Sequence, residues 1–163
     1  MSDHTPLPET LSYLLAQVCK LHRQQADDLL SEIGLHVGQE MVLCALWETE
    51  GVTQTELGHH LAVQPATVTN ALTRLERKGL VERTPDARDQ RISRVFPTTE
   101  GRQLRADVEE QWDRLERASL VGITDNERDL LRDLLSRVHD NLAGQQTRRT
   151  ASTTEPAQSD KKA

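Results

Sequence analysis

The chain has 163 residues, of which 36% are hydrophobic, 28% charged and only 2% aromatic, so its core must be built from Leu, Val, Ile and Ala. This length suits one compact domain or two small lobes that share a core. No apolar run approaches the ~20 residues that span a bilayer, and the first residues lack the basic and apolar regions of a signal peptide. We therefore expect a cytoplasmic protein that does not bind a membrane.

The net charge of −6 is unevenly distributed along the chain. Between Arg74 and Arg105 there are nine Lys and Arg residues against five Asp and Glu, so this segment carries +4 and the rest of the chain −10. A basic segment in an acidic protein is typical of a face that binds nucleic acid. A solvated charged surface would give the same count, so charge alone does not decide between them.

The first half of the chain has helical apolar spacing. It predicts helices over residues 11–33 and 37–50, each followed by a glycine. A capping box, T-x-x-E, opens a third helix over residues 53–61. A proline then fits the first turn of a fourth helix over residues 65–78, where its missing N–H costs nothing.

The second half is predicted to begin with a β-hairpin, formed by strands over residues 80–84 and 91–96 around a polar turn. Thr98 or Thr99 then caps a fifth helix that runs to about residue 120. A second T-x-x-E box opens a sixth helix, which we expect Gly144 to end. Residues 144–163 are almost free of apolar side chains and are predicted to form a disordered tail.

The predicted fourth helix combines an apolar stripe with a polar face. Small and hydrogen-bonding residues lead the polar face and arginines follow. A helix that enters the major groove needs this arrangement, because bulky side chains would hold it away from the bases and Arg pairs with guanine or phosphate. An ordinary amphipathic helix would also have a polar outer face. The predicted DNA contacts here are Gln64, Ala66, Thr67, Thr69, Asn70, Thr73, Arg74 and Arg77, with Thr53 at the cap of the preceding helix.

The turn of the hairpin carries two further arginines, Arg88 and Arg91. An exposed Arg on a narrow loop can enter the minor groove and sense its negative potential. Asp89, two residues before Arg91, can hold that side chain by a charge-assisted hydrogen bond. Helix, turn, helix and arginine-tipped hairpin in this order predict binding of double-stranded DNA.

Residues 53–102 resemble the core of the MarR family of bacterial regulators. The matching pieces are L-x-x-x-L at 57–61, V-T-x-x-L-x-x-L-E-x-K-G-L-V-x-R at 68–83, D-x-R at 89–91 and T-x-x-G at 98–101. I-T-x-x-E at 123–127 also matches, and the resemblance covers most of residues 8–143. Phe96 stands where the family more often has a smaller aliphatic residue. The resemblance implies a mainly α fold with a small β-hairpin wing, in which the fourth helix contacts the major groove and Arg91, steadied by Asp89, the minor groove.

The same resemblance implies a homodimer. It places a winged helix-turn-helix lobe at residues 35–98 and a dimerisation lobe at residues 8–34 and 99–143. The apolar stripes of the first and sixth helices agree, because one small domain offers little surface to bury both. The predicted dimer contacts are Leu11, Leu14, Leu131, Leu134, Leu135 and Val138. Two-fold symmetry would set the recognition helices one DNA turn apart, about 34–36 Å, on a near-palindromic operator.

The family resemblance also implies repression that ends when a small molecule, often an anionic aromatic compound, binds between the two lobes. The candidate effector contacts are His22, His36, Met41 and Trp47, each of which also suits a core or surface role. A thiol switch is the first alternative. Aligned on the hydroperoxide-sensing branch, however, Ser12 occupies the position of the sensing cysteine, and Cys19 is predicted to be a packed residue.

Metal sensing is a second alternative, because Cys19 and His22, or Glu56 with His59 or His60, could share a helical face. Two ligands do not make a site, so we predict neither a metal nor a cofactor. The chain has no G-x-S-x-G, phosphate loop or H-E-x-x-H, and we do not expect an enzyme. A winged helix that binds protein instead of DNA is the remaining class, although the Thr, Asn and Arg residues of the predicted face favour DNA.

Overall fold

The structure of the chain, a computed structural model, describes residues 5–153. A short 3₁₀ turn at Leu7–Glu9 precedes the helices, and the predicted class, mainly α with a small sheet, is confirmed. The elements in chain order are α1 (Leu11–Ser31), α2 (Gln39–Glu48), β1 (Val52–Thr53), α3 (Gln54–Leu61), α4 (Pro65–Arg77), β2 (Val81–Pro85), β3 (Ser93–Pro97), α5 (Thr99–Ser119) and α6 (Asp125–Thr153).

The chain divides into two compact units, the first ending at Ser119 and the second beginning at Leu120. The first unit contains α1–α5 and the sheet, and the second contains α6. The core of the first unit is aliphatic, as its composition requires. The predicted stripe of α4 lies in it, with Val68, Leu72 and Leu75 buried and Ala71 half-buried.

The sheet has three antiparallel strands in the order β1-β3-β2. The predicted hairpin is confirmed, and Arg83 of β2 lies opposite Val95 of β3. The strand β1 was not predicted, because two residues are too few to show alternation. It pairs Val52 with Val95 and Thr53 with Arg94, so it holds the start of α3 against the hairpin.

The recognition-helix candidate α4 ends in a Schellman motif. Gly79 has a φ of +71°, and its N–H donates to the Glu76 carbonyl at 2.9 Å. The N–H of Leu80 donates to the Leu75 carbonyl at 3.0 Å, and both leucines are buried. This arrangement satisfies carbonyls left free at the helix end and directs the chain into β2.

The start of α5 packs against the end of α4. Thr98 is its N-cap, since the Thr98 hydroxyl accepts from the Gly101 N–H at 3.1 Å and donates to the Gly79 carbonyl at 2.7 Å. A Cβ on Gly101 would lie 2.0 Å from the Leu80 carbonyl oxygen, so only glycine fits. The T-x-x-G sequence therefore has a packing role. The indole N–H of Trp47 in α2 also donates to the Gly101 carbonyl at 3.1 Å, which links α2 to the start of α5.

The predicted end of the sixth helix at Gly144 is wrong, since α6 continues to Thr153. A glycine within a helix costs only about 1 kcal/mol relative to alanine, and the Leu, Ala and Gln residues around Gly144 favour helix. The start of α6 follows the prediction, because the Glu127 carboxylate accepts from the N–H and hydroxyl of Thr124 at 2.8 and 2.7 Å. The rest of the predicted tail, residues 154–163, lies outside the described residues.

Both α1 and α6 expose apolar side chains. Leu11 is 85% exposed, and Leu14, Leu134, Leu135 and Val138 are between 39% and 55% exposed, whereas Leu131 of the same predicted set is half-buried. Within residues 5–153, no helix has both the length and the apolar character needed to cross a bilayer.

Candidate nucleic-acid interface

The predicted helix-turn-helix is formed by α3 and α4. At the start of α3 the Thr53 hydroxyl accepts from the Glu56 N–H at 3.2 Å, while the Glu56 carboxylate accepts from the Thr53 N–H at 2.7 Å. This reciprocal capping box holds the pKa of Glu56 below its usual range. The turn between the helices contains Ala62 in a left-handed conformation, with a φ of +52°, and Pro65 then opens α4.

The outer face of α4 carries all of its predicted contact residues, and each of them is exposed. Gln64 and Ala66 lie at its N-terminal end, while Arg74 and Arg77 lie in its last turn. Within the described part of the chain, no hydrogen bond or ion pair engages the side chains of Thr67, Asn70, Arg74 and Arg77. Two neutral hydrogen-bonding groups and two cations are therefore available to a ligand that covers this face.

Two other threonines of the same face are already engaged. The Thr69 hydroxyl donates to the Pro65 carbonyl at 2.9 Å and accepts from the Gln54 side chain at 2.6 Å. The Thr73 hydroxyl donates to the Thr69 carbonyl at 2.9 Å. Since each hydroxyl has one hydrogen, neither threonine can donate to a base without losing a helix contact. The Thr53 hydroxyl is also engaged, as the cap of α3, and Thr53 is half-buried.

Gln54 and Arg83 support this face and were not predicted. The Arg83 guanidinium donates to the side-chain amide oxygen of Gln54 at 3.3 Å and forms an ion pair with Glu76 at 2.9 Å. Through Gln54 this pair reaches Thr69, so α3, α4 and β2 share one polar network. The V-x-R sequence that ends in Arg83 was a signal for this role, but its partner was not evident without the strand register.

The wing between β2 and β3 is organised by Asp86. Its carboxylate forms an ion pair with Arg94 and accepts from the N–H groups of Arg88 and Asp89 at 2.8 and 3.2 Å. The Arg94 guanidinium and then these two N–H groups lower the pKa of Asp86 to about 2. Arg94 also donates to the Gly51 carbonyl at 2.7 Å, which fastens the base of the wing to the loop before β1.

The predicted role of Asp89 needs a correction. Its carboxylate accepts from the backbone N–H of Arg91 at 3.0 Å, so it shapes the loop instead of holding the Arg91 guanidinium. The carboxylate that holds an arginine side chain here is Asp86, and the arginine is Arg94. The side chains of Arg88 and Arg91 are exposed and, among residues 5–153, have no ion-pair partner. Both cations at the tip of the wing therefore point outward from a fixed loop.

The four candidate effector residues do not converge on a described cavity. The His22 ring is tilted by 42° against the Trp112 ring with centroids 5.9 Å apart, and His36 contacts the Asp27 carboxylate at 3.3 Å. Met41 is 46% exposed, while the Trp47 ring lies 6.0 Å from the Arg105 guanidinium. One cavity of about 350 Å³, lined by Lys20, Arg23, Gln24, Asp27 and Val37, lies between α1 and the start of α2, and none of the four lines it.

The prediction that Cys19 is packed is wrong, since Cys19 is exposed on α1. The helical stripe that faces α5 contains Ala26 and Leu30, and the N-terminal turns of α1 extend beyond that contact. Cys44 is half-buried, and burial raises the pKa of its thiol. Among the described residues, no three His, Cys, Asp or Glu side chains lie close enough together to hold a metal ion.

Comparison with known proteins identifies similar chains and folds. The MarR family profile matches residues 35–93. The transcriptional repressor IacR of Pseudomonas putida is 30% identical over 130 residues, which cover 80% of this chain and 78% of IacR. The sequence similarity between the two proteins therefore extends well beyond the helix-turn-helix.

Two solved structures show the same fold with ligands. CouR from Rhodococcus jostii RHA1, bound to p-coumaroyl-CoA, matches with a TM-score of 0.71 and 29% identity over 83% of this chain and 95% of CouR. MepR of S. aureus in complex with DNA matches with a TM-score of 0.73 and 28% identity over 81% of this chain and 98% of MepR. The winged helix-turn-helix expected from the sequence is confirmed by these matches.

Proposed function

The chain belongs to the MarR family of transcriptional regulators, and from this premise we propose that it is a homodimeric repressor that binds a near-palindromic operator and releases it when a small molecule binds. It acts in the cytoplasm on double-stranded DNA and catalyses no reaction. The repressing mode follows IacR, whose name describes a repressor.

The observation that carries the proposal is the outer face of α4 beside the wing. Thr67 and Asn70 offer hydrogen bonds without internal partners, which suits contact with base edges. Arg74 and Arg77 follow in the last turn, which suits phosphate. Arg91 extends from a loop that Asp86 and Arg94 hold in place. The MepR complex with DNA supports DNA binding by a protein of this fold.

The exposed leucines of α1 and α6 support the homodimer. Leu11, Leu14, Leu134, Leu135 and Val138 all expose large apolar side chains. A stripe of this kind is stable in water when a second copy covers it, and a two-fold pair presents the same face on both subunits. Two wings and two copies of α4 then contact successive turns of one duplex.

Release by a small molecule rests on CouR, whose structure holds p-coumaroyl-CoA, an anionic aromatic thioester. We propose a ligand of the same class for this chain. The cavity of about 350 Å³ beside α1 carries the cations Lys20 and Arg23, which would attract an anion. Of the predicted effector residues, His36 contacts the lining residue Asp27.

Titration of labelled duplexes over a range of salt concentrations tests the DNA-binding function. A protein that neutralises several phosphates should show an observed affinity that falls with salt, with a log–log slope of roughly −0.9 for each phosphate. A flat salt response, or equal affinity for every duplex, would contradict the proposal and favour a winged helix that binds protein.

A further inference from the structure

The C-terminal end of α4 is tied to the end of α1 by three residues, Lys78, Gln39 and Gly34, which we call the α4 anchor. The Lys78 ammonium group donates to the Gly34 carbonyl and, at 3.1 Å, to the side-chain oxygen of Gln39. Lys78 caps α4, while Gly34 ends the turn that follows α1. The Lys78 ammonium group therefore binds the loop between α1 and α2, whereas Arg74 and Arg77 stay exposed on the outer face of α4.

Gln39 is an unusual partner, because its side chain is only 3% exposed. Its oxygen accepts from Lys78 and from the His36 N–H at 3.2 Å, but its buried side-chain nitrogen has no hydrogen-bond partner among the described residues. A buried donor without a partner costs about 1–3 kcal/mol. Glutamine is therefore kept in this buried position for the two hydrogen bonds that its oxygen accepts, at the cost of one buried donor without a partner.

The loop between α1 and α2, which binds Lys78, is itself held by hydrogen bonds and by its backbone conformation. The Asp27 carboxylate of α1 accepts from the Val37 N–H at 3.0 Å and contacts the His36 ring at 3.3 Å. Gly34 has a φ of +74°, a conformation that few other residues adopt. The Lys78 ammonium group is thus held by a loop that is fixed to α1 at one side and continues into α2 at the other.

We propose that Lys78 and Gln39 are positioning residues, which set the angle of α4 relative to α1 so that the two recognition helices of the dimer match the spacing of the operator half-sites. This inference rests on the proposed function, in which α1 contributes to the dimer. Gln39 cannot contact DNA because it is buried, and Lys78 acts through its own protein instead of a phosphate.

The test uses full-length Gln39→Met and Lys78→Met variants, with Arg117→Gln as a control. Arg117 is exposed on α5 and, among residues 5–153, has no ion-pair partner, so the control removes one positive charge without touching the anchor. Each protein is titrated with its selected operator and with duplexes that have one base pair inserted or deleted between the half-sites. One base pair rotates a half-site by about 34–36°.

Both anchor variants should bind the operator roughly tenfold more weakly, a loss of about 1.4 kcal/mol, and should lose most of the preference for the native spacing. The Tm of Gln39→Met should change little, because methionine removes the unpaired donor together with the oxygen that accepts from Lys78 and from the His36 N–H. The slope of affinity against salt should stay as in the wild type and the control. The loss in the double variant should be smaller than the sum of the two single losses in free energy, since both variants remove the contact between Lys78 and Gln39.

Two results would overturn the inference. If Lys78→Met alone weakens binding and reduces the salt slope by about 0.9, Lys78 contacts a phosphate. If Gln39→Met keeps the wild-type affinity and spacing preference, or loses affinity only with a matching fall in Tm, the anchor serves the fold alone. A wild-type protein that binds no duplex would overturn the proposed function and this inference together. The two results above would overturn the inference alone and leave the proposed function intact.

Discussion

At Gly101 the start of α5 packs so closely against Leu80, the residue before β2, that no side chain fits between them. An added Cβ would lie 2.0 Å from the Leu80 carbonyl oxygen, and that atom belongs to the backbone and cannot rotate away. The Leu80 carbonyl also accepts from the Thr98 N–H at 3.0 Å, so a shift would break a hydrogen bond. Gly101→Ala should therefore lower the free energy of unfolding by at least about 2 kcal/mol, measured by urea denaturation.

Gly144→Ala is the matched control for Gly101→Ala. No atom lies within 4 Å of a Cβ added at Gly144, and its backbone is helical. The substitution should stabilise α6 by about 0.5–1 kcal/mol, because alanine loses less backbone entropy than glycine. Destabilisation by Gly144→Ala would mean that the helix ends there, as the sequence alone suggested. A Gly101→Ala protein of unchanged stability would contradict the packing at Leu80.

Glu40 gives the protein a pH-dependent stability. Its carboxylate is 1% exposed, and burial raises its pKa although the Gly38 N–H donates to it at 2.7 Å. Because the folded state then holds the proton more tightly than the unfolded state, Glu40 stabilises the fold at low pH and this contribution is lost as the pH rises through its folded pKa. The free energy of unfolding of Glu40→Gln relative to wild type should therefore increase from pH 4 to pH 8.

Urea titrations of both proteins across this pH range measure that difference directly. Asp86, whose pKa is lowered to about 2 by the fold, does not confuse the result, because both proteins carry it and its contribution cancels in the difference. A difference between the two proteins that is constant, or that decreases with rising pH, would show that the carboxylate is not buried as described.

At the scale of elements, the chain's periodicity and capping residues were sufficient to predict α3, α4 and the hairpin, because each of these depends on local spacing. The ion pair between Asp86 and Arg94 and the network through Gln54 were not predicted. Both join residues that come together only when β2 and β3 pair in one register. The sequence motif D-x-R drew attention to Arg91, whereas the arginine that an aspartate holds is three residues further along.

Asn70 is the residue of α4 best placed to read a base, since it is exposed and its amide has no internal partner within the described chain. Asn70→Ala should weaken binding to the operator by about 1–3 kcal/mol while binding to random duplex changes little. Fluorescence anisotropy with both duplexes measures the two affinities. Equal losses on both would assign Asn70 to phosphate contact or to folding.

The wing makes a separate contribution through Arg91. Because its side chain is exposed and the loop shape depends on Asp86, Arg91→Ala should reduce operator affinity with little change in Tm. Asp86→Ala should reduce both, since it removes the Arg94 ion pair and two N–H contacts together. An Arg91→Ala protein with wild-type affinity would remove the wing tip from the interface.

At the scale of the whole molecule, the proposed dimer covers the apolar side chains of α6. Leu134 and Leu135 are 46% and 47% exposed. Replacing both with Asp should give monomers that no longer bind the operator, which sedimentation velocity and anisotropy would detect. Ser136→Asp adds a charge on the opposite face of α6 and should remain dimeric. A double variant that sediments as the wild-type dimer would exclude this stripe from the interface.

Local sequence patterns determine neither the length of α6 nor the orientation of α4 relative to α1. Gly144 has the residue type of a helix end, yet the helix continues because its neighbours favour it and no turn follows. The α4 anchor joins Lys78 to residues about forty positions earlier, so only the folded chain brings its parts together. Periodicity predicts which residues of α4 are exposed, but not the orientation of the helix that presents them.

Selection of bound sequences from a random pool of duplexes, with the purified full-length protein, tests the central claim most directly. A two-fold pair of subunits that each present α4 and a wing should enrich an inverted repeat whose half-site centres lie about 10 base pairs apart. The sequence between the half-site edges should favour A·T pairs where Arg91 enters the minor groove. A pool that remains random after repeated rounds at low salt, or that enriches a single unrepeated site, would contradict the account.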